Sequence, residues 1–218
     1  MTHYTQYPMM RPYVGKHFHD AATPSLLLIG ESHYFPEESL QHTTSETWYS
    51  GSSATLTQDE IEYISTAALL DDSRAEGFSN KSHSIWSNPF SIINEHGPRY
   101  SDYTRIADDI AFYNFFLRPA LTGESLAVTE EDAKIANEAF LLIYAELKPS
   151  AVVFLSTLAY NNFRHSLPIP VIATPHPASA WWNRAAAKYD NKCGWEILAA
   201  FIDTLNWRKD TTPNETVA

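Results

Sequence analysis

Four short apolar runs limit what this chain can fold into more than any other feature. They are Ser25–Ile29 (SLLLI), Ile110–Phe116 (IAFYNFF), Ala151–Leu155 (AVVFL) and Pro170–Ala173 (PVIA), the last extended back to Ile169. Each is continuous rather than alternating, and each is flanked by breakers. That pattern belongs to strands buried on both faces, as in a parallel sheet. Helical patterns lie between and after them. Thr57–Leu70 (TQDEIEYISTAALL) opens with a capping residue and an acidic first turn. Thr129–Leu147 does the same and stops at Lys148–Pro149, and Cys193–Trp207 is a third amphipathic run. Strands alternating with helices build βαβ units. The expected fold class is α/β, a three-layer α/β/α sandwich around a short, mainly parallel four-stranded sheet.

The 218 residues suit one sizeable domain, and 44% hydrophobic residues can fill its core. A single domain is expected over residues 1–210. The long polar stretch between Phe35 and Trp86 reads as an insertion or cap at 36–85 holding one clear helix. The last residues, TTPNETVA at 211–218, read as a disordered tail. No apolar run reaches the roughly 18 residues that span a bilayer. The start, MTHYTQYPMMRPY, lacks the charged and apolar regions of a signal peptide. A cytoplasmic, monomeric protein with no membrane partner is expected. Cys193 is the only cysteine. It excludes an intrachain disulfide and an iron–sulfur cluster held by several thiolates. No cofactor and no metal are expected. The net charge of −11 argues against non-specific adhesion to nucleic acid, leaving only a local basic groove for such a partner.

Ligands of open parallel sheets bind outside the carboxyl ends of the strands. Gly30, Glu31, Ser32, His33 and Tyr34 follow the first run. Asn114 ends the second, with Arg118 beyond it. Ser156, Thr157 and Tyr160 follow the third. The segment TPHPASAWWNR, carrying His176, Ser179, Trp181 and Trp182, follows the fourth. Each has a plainer role open to it. Glu31 or Ser32 serves equally well as a helix cap, and Asn114 equally well as a loop anchor. A lone loop histidine such as His176 is more often a surface residue than a catalyst. Two adjacent tryptophans in a polar loop are hard to bury together, so one is expected to form a contact surface.

Taken in order, these segments resemble the uracil-DNA glycosylase superfamily, over about residues 25–183. One family's first motif, G-Q-D-P-Y-H, corresponds to Gly30-Glu31-Ser32-His33-Tyr34-Phe35, and the G-E-A-P-G of the iron–sulfur branch is matched by Gly30-Glu31. The family's strand-ending asparagine corresponds to Asn114 in Phe112-Tyr113-Asn114. Its H-P-S-P motif corresponds to His176-Pro177-Ala178-Ser179, and a Pro-Phe pair to Pro89-Phe90.

The resemblance implies a monofunctional DNA glycosylase that flips a nucleotide into a pocket. Phe90 would stack on the base and Asn114 would read its pyrimidine edge. His176 would stabilise the departing anion, and Glu31 would orient or deprotonate the attacking water. Tyr34 and His33 would line the pocket. Ser179, Trp181, Trp182, Arg184 and Lys188 would meet the DNA, one tryptophan as a wedge and the two cations at phosphates.

Ser32 stands where the family places its water-activating aspartate or asparagine, so either Glu31 takes that role or catalysis is weak or lost. His33 replaces a proline and adds a titratable group. These departures favour a modified pyrimidine over ordinary uracil, including the hypermodified cytosines of phage DNA, with phage defence and repair both open as roles. Three rivals remain. An SGNH-type esterase would use Ser32 and His176, but Ala173 occupies its aspartate position. An erythromycin-esterase-like protein would use Glu31 and His33 of GESH. A reader of modified bases would use the same pocket without catalysis.

Overall fold

The computed structural model describes residues 3–21 and 23–207, so the tail expected at 211–218 lies outside the described residues. The four apolar runs form four parallel strands. They are β2 (Leu26–Gly30), β4 (Ile110–Asn114), β6 (Ala151–Phe154) and β7 (Val171–Ala173). A short strand, β1 (Tyr13–Val14), adds antiparallel to β4, so the sheet has five strands in the order β1-β4-β2-β6-β7. The sequence pattern shows four of the five, because a two-residue edge strand leaves no apolar run. Residues in β2 pair with β4 from Leu26 opposite Ile110 to Gly30 opposite Asn114. Beyond this sheet the chain stays extended. β3 (Tyr34–Phe35) pairs with β5 (Ala120–Leu121) in a second, parallel ladder.

Eight helices occur among the described residues. They are α1 (His3–Gln6), α2 (Ser45–Ser50), α3 (Gln58–Ile64), α4 (Thr66–Ala75), α5 (Ser84–His96), α6 (Glu130–Leu147), α7 (Thr157–Asn162) and α8 (Gly194–Ile202). Two apolar layers sandwich the sheet. Leu27, Ile29, Ala111, Tyr113, Val152 and Phe154 pack with Ala136, Phe140 and Ile143 of α6. Leu26, Leu28, Ile110, Phe112 and Val153 pack with Phe90 and Ile93 of α5 and Leu198 and Ile202 of α8. This is the expected α/β/α arrangement, and it follows from strands whose side chains are apolar on both faces.

Three helices differ from the periodicity. Thr57–Leu70 is not one helix: it breaks at Ser65, whose φ of −78° and ψ of 88° leave the helical region. Thr66 is thereby turned into the core, where it is 1% exposed. The helix expected over Cys193–Trp207 stops at Ile202. α5 gives no clear signal in sequence, because Pro89 inside it removes a backbone donor. Burial of Trp86, Phe90 and Ile93 along one side outweighs that cost. The segment at 36–85 thus contains α2, α3 and α4 rather than one helix. It is bolted to the body by a buried ion pair. Arg118 donates to both Asp132 oxygens at 2.9 and 2.6 Å, and its third nitrogen donates to the Thr43 carbonyl. Tyr49 donates to the same carboxylate at 2.8 Å.

The connections define where a ligand belongs. β2 leads by way of the cap into α5 on one face. The adjacent β4 leads into α6 on the other. The chain runs from β2 out to β4 and then back across to β6, so the strand order reverses between β2 and β6, and Glu31 and Ser156 stand at that switch point, with Gly30 and Asn114 on its β4 side. A cleft of about 70 Å³, lined by Lys16, His17, Tyr100, Arg105, Asp108 and Asp109, opens at the opposite, amino edge of the strands. There Asp108 is already engaged by Arg74 at 2.8 Å and Lys16 at 3.3 Å, which suits a structural corner better than the site.

Candidate functional site

The segment GESHYF is not a free loop. Phe115 N–H donates to the Gly30 carbonyl at 3.1 Å, Phe116 N–H to that of Glu31 at 2.9 Å and Ala120 N–H to that of His33 at 2.9 Å. The motif is thus a continuation of the parallel ladder, and its side chains stand on a fixed backbone. Gly30 is required by packing. A Cβ there would lie 2.2 Å from Asn114 Oδ1 and 3.0 Å from Phe112 Cζ. The asparagine side chain therefore lies directly over the glycine, from the carboxyl end of β4 onto that of β2.

Asn114 is 8% exposed, and its amide makes no hydrogen bond within the described protein. Its amide atoms are not among the fully enclosed, unpartnered polar atoms of the described residues, so the group keeps an opening to solvent at the rim. Glu31, from the neighbouring strand end, is half-buried. Its Oε2 accepts from the Ser156 hydroxyl at 2.5 Å. His176, from the loop after β7, completes the cluster. Burial lowers its pKa from the ordinary 6.5, and the Glu31 carboxylate nearby pulls in the opposite direction. Ala178 N–H donates to His176 Nδ1 at 3.2 Å. The neutral ring then carries its proton on Nε2, which is left as a donor. Tyr34 lies on the same side. Burial raises its pKa, and the Glu31 charge adds to that shift. The ends of β2, β4 and β7 thus deliver a carboxylate and a phenol, an amide, and an imidazole donor to one rim.

Other expected residues lie elsewhere. Phe90 is 0% exposed and sits edge-on to Phe78 at 5.4 Å inside the core. It cannot stack on a ligand there. The aromatic nearer the rim is Trp86, one helical turn closer to the start of α5. It packs on Phe112 at 5.8 Å, and its indole nitrogen is buried without a partner. Nearby, Asn88 donates to the Pro177 carbonyl at 2.9 Å and ties α5 to the histidine loop. Neither residue belongs to a recognisable motif. Their only sequence signal was an amphipathic pattern hidden by Pro89.

The tryptophan pair divides as expected of adjacent bulky residues. Trp182 is 3% exposed and packs against Gly194, where a Cβ would meet its ring at 2.7 Å. It anchors the loop and is not a surface contact. Trp181 is exposed, with Lys188 Nζ 5.0 Å from its ring. Arg184 is exposed beside them, and the Ser179 hydroxyl is buried without a partner.

Ser32 and His33 also turn inward. The Ser32 hydroxyl is buried without a hydrogen-bond partner, so it forms no nucleophile–histidine pair of the esterase kind. His33 is 5% exposed, and its Nε2 lies 3.1 Å from Thr66 Oγ1 at the start of α4. It joins the motif to the cap rather than lining the pocket. It also does not face the way Glu31 does. Among the described residues no three His, Cys, Asp or Glu side chains are grouped to hold a metal.

Burial lowers the pKa of His33 to about 4, and that of His3, also buried nearby, to about 4. Folding therefore favours the neutral rings. Their stabilisation is complete above the unfolded value of 6.5 and is lost as pH falls from 6.5 towards 4. For His33 alone the loss amounts to about 3 kcal/mol at 1.36 kcal/mol per unit. The midpoint of denaturant unfolding should fall steeply between pH 7 and pH 4. His33→Gln should flatten that slope, and an unchanged slope would show that other groups govern acid unfolding.

Among the described residues no helix is long and apolar enough to cross a membrane. Compared with known proteins, the chain matches no protein-family profile and no curated protein sequence.

Proposed function

We propose that the chain is a monofunctional DNA glycosylase that hydrolyses the N-glycosidic bond of a flipped pyrimidine. A modified base is favoured over ordinary uracil. What supports this reading is the Asn114 side chain, 8% exposed as a residue and without a hydrogen bond to the described residues, beside Glu31 and His176 at the carboxyl ends of the strands. An amide offers one donor and one acceptor in a plane, which matches the edge of a pyrimidine. The other two groups suit what bond cleavage requires. Glu31 accepts a proton from a water molecule while the water oxygen bonds to the anomeric carbon of the sugar. The carbon–nitrogen bond breaks with its electron pair passing to the base. His176 Nε2–H donates to the base oxygen on which that charge collects. Its lowered pKa keeps the ring neutral, so it acts by hydrogen bonding rather than as a cation.

Tyr34 walls the pocket beside Glu31, and Trp86 replaces Phe90 as the aromatic wall. Trp181, Arg184 and Lys188 extend from the histidine loop towards the duplex. They form a local contact on a chain whose net charge is −11. Such a contact predicts affinity that depends on the target site more than on general attraction to DNA. The buried Ser32 hydroxyl and the inward turn of His33 favour this reading over the two hydrolase rivals.

The test is an abasic-site assay. DNA carrying uracil, 5-modified cytosine or glucosylated cytosine is incubated with the protein and then cleaved with alkali. Strand breaks with one substrate establish the activity and name the base. Their absence with all three overturns this reading for these bases. Binding of modified DNA without breaks would instead favour a base reader. Asn114→Asp replaces the amide donor by a second acceptor, so it should change the accepted base. The ratio of excision rates for the parent's base and its amino or keto counterpart should move by at least about 10-fold, since a hydrogen bond to a neutral partner is worth about 1.4 kcal/mol. An unaltered ratio would make Asn114 structural.

A further inference from the structure

We propose that Ser156 is the positioning residue for Glu31, and that it commits one carboxylate oxygen so that only Oε1 faces the reaction. The catalytic consequence rests on the glycosylase reading; the placement itself does not. Ser156 lies two residues past the end of β6 and is the N-cap of α7. Its Oγ accepts from Ala159 N–H at 3.2 Å. With a lone pair used in that way, the hydroxyl proton is left to be given away. The acceptor is Glu31 Oε2 at 2.5 Å, the distance range of a hydroxyl donating to an ionised carboxylate. Ser156 is 1% exposed, so water does not compete for the bond.

The cap therefore sets the direction of the bond. A hydroxyl free to rotate can donate or accept, but one held by a helix N–H has its donor aimed elsewhere. Glu31 is held at both ends, its carbonyl by Phe116 N–H at 2.9 Å and its carboxylate by Ser156. The two holds come from the strands flanking β2 on either side. A carboxylate fixed in this way presents Oε1 at a defined position, without the cost of ordering a flexible glutamate at each turnover.

The experiment uses Ser156→Gly and Ser156→Thr in the full chain. Glycine serves as an N-cap nearly as well as serine, so Ser156→Gly should fold while removing the donor. Threonine keeps both the cap and the hydroxyl. Ser156→Gly should lower kcat by about 10²-fold, as a misplaced catalytic group does, with KM within about twofold. Ser156→Thr should restore most of the rate. In a Glu31→Gln background, Ser156→Gly should cause no further loss, because the group it positions is already gone. A parental rate in Ser156→Gly, or an equal further loss in that background, would overturn the assignment.

A second readout needs no activity. In protein labelled with ¹³C-glutamate, the Glu31 Cδ resonance is identified by its disappearance in Glu31→Gln. It should shift in Ser156→Gly and return towards the parental position in Ser156→Thr. A shift without excision of any base would keep the positioning role and sink the glycosylase reading. An unmoved resonance would sink the positioning role itself.

Discussion

Glu31→Gln is expected to lower the rate of base excision by about 10²–10⁴-fold, the usual worth of a positioned general base. The chain should fold as before. Glutamine keeps the shape of the side chain and can still accept from the Ser156 hydroxyl that now reaches Glu31 Oε2 at 2.5 Å. What it loses is the capacity to take a proton from water. His176→Ala should give a loss of comparable size for a different reason. It removes the Nε2–H donor while leaving the water-activating carboxylate in place. The measurement is single-turnover excision on the substrate found in the abasic-site assay, with thermal unfolding as the control for folding. Full activity in either variant would remove that residue from the mechanism. Because the two groups act on opposite sides of the breaking bond, the double variant should not lose the product of the two single losses. Residues that work as a unit are strongly non-additive.

The second large effect concerns stability. Asp132 is 0% exposed and accepts from Arg118 at 2.9 and 2.6 Å, from Tyr49 at 2.8 Å and from Thr129 N–H at 2.8 Å. These partners hold its pKa below the ordinary carboxylate value against the upward push of burial. Asp132→Ala would leave Arg118, itself 6% exposed, as an uncompensated buried charge. Breaking such a pair costs about 3–5 kcal/mol, a large part of the stability of an ordinary domain. Denaturant unfolding should show that loss in full. Since Arg118 also donates to the Thr43 carbonyl, protease cleavage within 36–85 should rise before the rest of the chain opens. A loss below about 1 kcal/mol would mean that water replaces the carboxylate. Cleavage spread evenly along the chain would mean that the cap does not open on its own.

The four parallel strands, the α/β class and the helix starts at Thr57 and Thr129 were legible in the sequence. Their causes are local. Apolar runs of four or five residues between breakers have few other stable placements. Thr57 and Thr129 each close a capping box with the acidic residue three positions later. The rim residues Glu31, Asn114 and His176 were also legible, because each follows a recognisable strand and a parallel sheet gathers such positions at one edge.

Only the tertiary structure separated the rim-facing residues of the GESH segment from those turned inward. Ser32 and His33 turn inward while Glu31 and Tyr34 lie towards the rim, an order that the simple alternation of a strand does not give and that depends on what the rest of the chain offers each side chain. Thr66, released by the break at Ser65, takes His33 inward. Ser156, 125 residues from Glu31, holds the carboxylate at the rim. The same limit explains Phe90 and Trp86. Both lie on the buried side of α5, and only the height of that helix against the sheet leaves one in the core and the other beside Phe112. Local patterns decide which segments are strands and helices, because backbone and side-chain periodicity act over a few residues. Which side chain meets which depends on packing between segments far apart in the chain, and no local pattern records that.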